Sequence, residues 1–244
     1  LAAELLHSAL LMHDDIIDRD SIRYGVPNIT GQYMEAYAAE IADVRDRQHF
    51  ASSAAIMGGD LLIAAAYNLL NEMAGIDDTR RRATVDCMAE GIFVVCGGEL
   101  LDTESAFRKQ PAPAIKIAEY KTASYSFIAP LCMGAILGGA DQTEQNMLRE
   151  YGRALGIAYQ LKDDLLGVFG DSSITGKTTI GDIREGKKTY LIELFYERAT
   201  SHMQDEFAAI FGVHDLTDEA YASAMQLLEK SGAKAACEEA IETY

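Results

Sequence analysis

Residues 1–18 read LAAELLHSALLMHDDIID, and the apolar side chains in that stretch recur at the spacing that lines one face of an α-helix. Its end carries Asp14, Asp15 and Asp18. Asp14 and Asp18 are one turn apart, about 6 Å along the axis and on nearly the same face, with Asp15 close enough to join them. Three like charges at the negative end of a helix dipole oppose folding, so the fold alone gives no reason for them. A hard cation does, because Mg²⁺ prefers carboxylate oxygens together with water and substrate phosphate.

Outward from this helix, Gly25, Pro27 and Asn28 mark a turn-prone stretch. A second helical run extends from about Asp46 to Gly75 and is apolar nearly all round between Ile56 and Leu70, the pattern of a fully buried helix. A third run covers Thr79 to about Ser105. Pro113 suits the first turn of a fourth, which runs toward Gly138, and Thr143 to about Phe169 gives a fifth. Gly170 to Gly181 reads as a loop, with shorter helices after it. Alternating β-branched runs are nearly absent, so the expected class is all-α, a single domain of long helices over residues 1–244.

The fifth run ends in a second acidic pair, Asp163-Asp164, within YQLKDDLLG at residues 159–167. One such pair is usually a solvated helix face. Two at equivalent helix ends, each followed by basic residues, point to a shared ligand. Arg23, Lys121, Lys177, Lys187 and Lys188 supply the cations. Together these groups suit a diphosphate bridged to acids by Mg²⁺, with Lys and Arg neutralising its outer oxygens, an arrangement that stabilises a leaving diphosphate.

The net charge of −17 argues against nucleic acid or anionic lipid as a partner. Cys87, Cys96, Cys132 and Cys237 show no CxxC spacing and fit a reducing cytoplasm. The uncharged span Thr122–Ala140 contains Pro130 and three glycines, which speaks against stable membrane insertion. No signal peptide is visible. Leu1 already reads as the inside of a helix without a cap, so an N-terminal segment is expected to be missing.

From Glu4 to about Leu191 the chain resembles the trans-isoprenyl diphosphate synthases, the polyprenyl synthetase family. The resemblance rests on HSALLMHDDIIDRDSIRYG at 7–25, on YQLKDDLLGVFGD, TGK and GDIREGKKT between Gly156 and Thr189, and on three landmarks between them. Those are Gly59-Asp60-Leu61-Leu62, Gly98-Glu99-Leu100-Leu101-Asp102 and Lys121-Thr122-Ala123-Ser124.

The resemblance implies a bundle around a deep central cavity and an enzyme that joins an allylic diphosphate to isopentenyl diphosphate. Asp14, Asp15 and Asp18 would face Asp163 and Asp164 and hold Mg²⁺ on the allylic diphosphate. Arg23, Lys121, Lys177 and Lys187 would contact phosphate oxygens, while Gln160 and Thr122 line the carbocation. His7 and His13 are read as structural or as supporting the metal ligands from behind, since the reaction needs no strong protein base.

The resemblance implies that product length is set by the side chains about one turn before the first acidic group, here Ala9 and Leu10. Neither is aromatic, which favours a product longer than farnesyl diphosphate, geranylgeranyl diphosphate above all. Phe93 is the candidate floor. The family also implies a homodimer through its apolar helices. Farnesyl diphosphate synthase, a class I terpene cyclase and a non-catalytic synthase subunit are the competing readings.

Three features depart from the pattern. Gly167 stands where many members have a third aspartate, and Tyr24 where a second arginine is usual. The N-terminal Gly-Gly-Lys-Arg element is not in the sequence. The missing N-terminal segment accounts for the last, whereas Tyr24 is read as weakened or rerouted acceptor binding, because a phenol lacks the bidentate charge of a guanidinium.

Overall fold

The computed structural model describes residues 1–108, 110–170 and 180–244. Its described elements are nearly all helices, as the sequence period requires. They begin with α1 (Ala2–Ile17), α2 (Ile29–Ala36), α3 (Val44–Asn71), α4 (Asp78–Ser105), α5 (Ala114–Ile117), α6 (Ala129–Gly138) and α7 (Gln142–Phe169). After them come α8 (Gly181–Glu185), α9 (Tyr190–Arg198), α10 (Ser201–Ala208), α11 (Asp218–Lys230) and α12 (Ala233–Thr243), all shorter than α7. Several starts are fixed by side chains. Asp141 and Glu144 form a reciprocal capping box on α7, and Asn28, Asp43, Thr200 and Thr217 accept backbone N–H bonds at α2, α3, α10 and α11.

Between α5 and α6, residues Ala118–Ile128 wind as a π-helix, so one continuous rod from Ala114 to Gly138 widens in its middle. The turn-prone stretch after α1 is a small hairpin. β1 (Ile22–Arg23) pairs antiparallel with β2 (Val26–Pro27) across Tyr24 and Gly25, both at positive φ (54° and 77°). Two successive left-handed residues make the tight turn that matches strand twist.

Backbone packing divides the chain into two compact units, residues 1–89 with 133–140, and residues 90–132 with 141–244; the boundary falls within α4 and α6. In the first unit α1 packs along α3. The expectation that α3 is buried all round is corrected here. Its buried face is made of small residues, Ala51, Ala55, Gly59 and Ala66, with Leu70, whereas Ile56, Met57 and Leu61 are exposed. Small side chains let α1 approach closely, and the larger ones point the other way. By length and hydropathy, Val44–Asn71 is the one described helix long and apolar enough to cross a bilayer.

In the second unit α7 packs against the π-helix, while α9 and α12 cover its other side. Phe195, Phe207, Leu191 and Leu228 form a core there with no solvent exposure. Each fully buried side chain of this size contributes about 1.5–3 kcal/mol relative to exposure. That core anchors the C-terminal half of α7, which carries the second acidic pair.

Candidate active site

In the first unit, Asp14 and Asp18 at the end of α1 present carboxylate oxygens within 4.8 Å of each other. Such a pair of hard donors fits a divalent cation. Asp15 turns inward and is only 5% exposed. The hairpin brings Arg23 to it: Nε and Nη2 lie 2.7 and 2.6 Å from Asp15 Oδ1, and Nη2 donates to Asp14 Oδ2 at 3.2 Å. Burial works against the Arg23 charge, but the hydrogen bond and charges of Asp15, with that of Asp14, outweigh it and raise the guanidinium pKa. Asp15 anchors Arg23, whose guanidinium lies on the two aspartates.

His13, beside Asp14, is seated on α3, its Nε2 3.2 Å from the Ile56 carbonyl and 3.7 Å from Asp60. A Cβ at Gly59 would overlap the imidazole, which explains the glycine in the Gly59-Asp60 landmark. Ala9 is fully buried and Leu10 half-buried on α1. Tyr24 is 79% exposed at the tip of the hairpin.

In the second unit, Gln160 and Asp164 follow one another at one-turn spacing on α7. Thr122 Oγ1 donates to Gln160 Oε1 at 2.5 Å, and Gln160 Nε2 donates to Asp164 Oδ1 at 2.8 Å. Burial pushes the Asp164 carboxyl pKa up to about 7; the Gln160 bond opposes the rise, and the charges of Asp182, Asp163 and Asp102 add to it. An acid in that position is short of positive charge. A metal ion is what its donor chemistry fits.

Lys121 Nζ is held by Asp102 Oδ2 at 2.7 Å and Glu99 Oε2 at 2.9 Å. Lys187 Nζ lies 3.4 Å from Glu185, and Lys188 Nζ donates to the carbonyls of Ser105 and Arg108 at 2.8 and 3.1 Å, closing the end of α4. Lys177, with its TGK landmark, lies outside the described residues. Phe93 is 82% exposed.

Three acids without an assigned role in the sequence reading lie against these residues: Glu99 and Asp102 on Lys121, and Asp182 beside Gly167. Asp182 also explains Gly167, since its Oδ2 lies where a Cβ on Gly167 would be. The landmarks GELLD and GDIREGKKT contain all three residues, but nothing in their spacing shows that Glu99 and Asp102 meet Lys121 or that Asp182 meets Gly167.

The pattern of the family described as polyprenyl synthetase matches residues 1–228. The chain belongs to the polyprenyl synthetase family. It is 30% identical over 234 residues to a geranylgeranyl diphosphate synthase of Methanosarcina mazei, covering 95% of this chain and 64% of that protein. To the corresponding synthase of Sulfolobus acidocaldarius it is 34% identical, over 78% of this chain and 53% of that one. The chain thus spans between about half and two thirds of the length of these relatives.

Among solved structures it is similar to a geranylgeranyl pyrophosphate synthase from Corynebacterium glutamicum complexed with isoprenyl diphosphate and magnesium. The TM-score is 0.87 at 33% identity, with 99% of this chain and 68% of that one covered. The all-α class is thereby established as that of the polyprenyl synthetases.

Proposed function

We propose that this polyprenyl synthetase is a prenyltransferase that condenses an allylic diphosphate with isopentenyl diphosphate in the presence of Mg²⁺. The observation that carries the reading is the pair of acidic groups, Asp14 with Asp18 and Asp163 with Asp164, on helices of a chain matched along residues 1–228 by this family. When bound, Mg²⁺ supplies the charge that stabilises the leaving diphosphate. Asp14, Asp15 and Asp18 in the first unit, and Asp163 and Asp164 in the second, would be the residues that hold Mg²⁺, with Asp15 also fixing Arg23.

The cations of the chain then exchange partners. Arg23 and Lys121, each ion-paired with carboxylates, are the groups that would turn to phosphate oxygens, with Lys177 and Lys187. Thr122 and Gln160 present oriented dipoles to the allylic carbocation. The double bond of isopentenyl diphosphate attacks that cation, and the proton lost afterwards passes to the departed diphosphate. No protein nucleophile is used.

Ala9 and Leu10 leave the level below Asp14 without an aromatic ring, which favours geranylgeranyl diphosphate as product; the named relatives are consistent with this. We further propose a homodimer through the exposed Ile56, Met57 and Leu61 of α3, working in a reducing cytoplasm that suits four cysteines without CxxC spacing. The test is mutational. Asp14→Ala and Asp163→Ala should each lower turnover by at least about a hundredfold, as expected when a ligand is lost from a charge-stabilising metal. Turnover within about threefold of wild type in both variants would refute the assignment.

A further inference from the structure

Lys121, Thr122 and Ala123 are consecutive in the π-helix, yet they go to three different places. The Lys121 ammonium meets Asp102 and Glu99, the Thr122 hydroxyl meets Gln160, and Ala123 lies against Gly156 of α7. π turns are rare, wider than α turns, and frequent at functional sites. Their width must be accommodated by whatever packs beside them.

Glycines accommodate it on both sides. On α7, a Cβ at Gly156 would sit 2.5 Å from Ala123 Cα and overlap its Cβ, and one at Gly152 would sit 3.1 Å from Ile128 Cα. On α4, a Cβ at Gly98 would sit 2.5 Å from the Tyr120 carbonyl carbon and 2.7 Å from Lys121 Cα. These neighbours are backbone atoms or a first side-chain carbon, so no rotamer change relieves the overlap. Neither Gly98 nor Gly156 has a positive φ. Close approach, not backbone freedom, is what requires them.

Gly152, Gly156, Gln160 and Asp164 are spaced four apart and form one stripe of α7. The same contact that seats Ala123 on Gly156 therefore presents Thr122 to Gln160 one turn later, and Gln160 to Asp164 a turn beyond. The Asp164 carboxylate, which can only accept, decides which way the Gln160 amide faces, and the Thr122 hydroxyl tethers the oxygen end that this leaves. Turned over, the amide would bring a carbonyl oxygen against a carboxylate.

We propose that Gly98 and Gly156 are positioning residues for ionisation of the allylic diphosphate, clamping the π-helix so that Thr122 fixes the Gln160 amide and, through it, the Asp164 carboxylate. This rests on the prenyltransferase reading above. The consequence is coupling. A methyl group at residue 156 shifts residues 122 and 123 together and breaks the relay without touching substrate.

The test is a double-mutant comparison in the full-length protein, with kcat, both KM values and the melting temperature measured for each variant. Gly156→Ala and Thr122→Val should each lower kcat by about tenfold or more, since each disturbs a hydrogen-bond relay ending on a charged group, while KM changes by less than about twofold. Combined, they should be no worse than the poorer single variant, and Gly98→Ala should share the signature. Adding Ala123→Gly to Gly156→Ala restores the room and should recover most of kcat even if Gly156→Ala alone folds poorly. Effects that multiply, a Gly156→Ala enzyme with wild-type kcat, or a melting-temperature recovery without kcat recovery would each overturn the clamp. A crystal structure of the repaired pair beside wild type gives an independent reading: the proposal requires π winding at 118–128 and the Thr122–Gln160 bond in both. Absence of prenyl transfer in wild type would count against the functional reading alone, because the crystallographic comparison would still decide the clamp.

Discussion

Replacing Asp164 by asparagine should make the metal-free protein more stable and the enzyme much less active. The Asp164 carboxyl titrates at about 7 in the folded chain, against an ordinary value of 3.8, chiefly because burial penalises its charged form. The folded state therefore holds a proton that the unfolded state has released between those two values. In that window the unfolded state binds fewer protons, so stability falls as pH rises from about 4 to about 7 and then levels off. Between about pH 4.5 and pH 8 this one group costs about 3 kcal/mol of stability, an order-of-magnitude figure from 1.36 kcal/mol per pKa unit. Asparagine keeps an oxygen for the Gln160 N–H and removes the titration. Urea unfolding in EDTA should show wild type losing that amount across the window relative to Asp164→Asn, with the variant the more stable at pH 8. Added Mg²⁺ with inorganic diphosphate should stabilise wild type and leave the variant behind. Parallel stability profiles for the two proteins in EDTA would refute the buried-charge argument.

Other outcomes follow from single positions. Ala9→Phe should shorten the main product and, because Ala9 is fully buried, cost about 1–3 kcal/mol of stability by overpacking; an unchanged product profile in a folded variant would show that residue 9 does not line the cavity. Tyr24→Arg should lower KM for isopentenyl diphosphate severalfold with kcat little changed, since it adds a guanidinium at an exposed hairpin tip without changing the φ of 54°; an unchanged KM would remove Tyr24 from acceptor binding. Leu61→Asp should convert a dimer to monomer in light scattering, because Leu61 is 71% exposed on the apolar side of α3. A wild-type monomer at micromolar concentration would contradict the dimer directly.

The five long helices were legible because apolar side chains at three- and four-residue spacing leave few alternatives. Thr143–Phe169 was expected where α7 is Gln142–Phe169, and Thr79–Ser105 where α4 is Asp78–Ser105. The acidic groups were legible because carboxylates at one-turn spacing work against a helix unless something binds them. What failed was orientation. On α3, the count of apolar residues hid the fact that the small ones face α1 and the large ones do not. Two-residue strands leave no period to read, so the hairpin that carries Arg23 to Asp15 passed as a loop. The π winding at 118–128 was equally hidden, since its evidence is the glycines of α4 and α7 rather than its own sequence. Asp182 beside Gly167 is the same kind of case: a carboxylate missing from one motif has its space filled from another segment.

The most direct measurement incubates the full-length protein with labelled isopentenyl diphosphate and allylic diphosphates of increasing length, with Mg²⁺ or with EDTA, and resolves the products by chain length. The account predicts Mg²⁺-dependent transfer of label into trans-prenyl diphosphates, with geranylgeranyl diphosphate the main product. Full activity in EDTA, or no transfer of label from isopentenyl diphosphate to any allylic diphosphate in Mg²⁺, would contradict it.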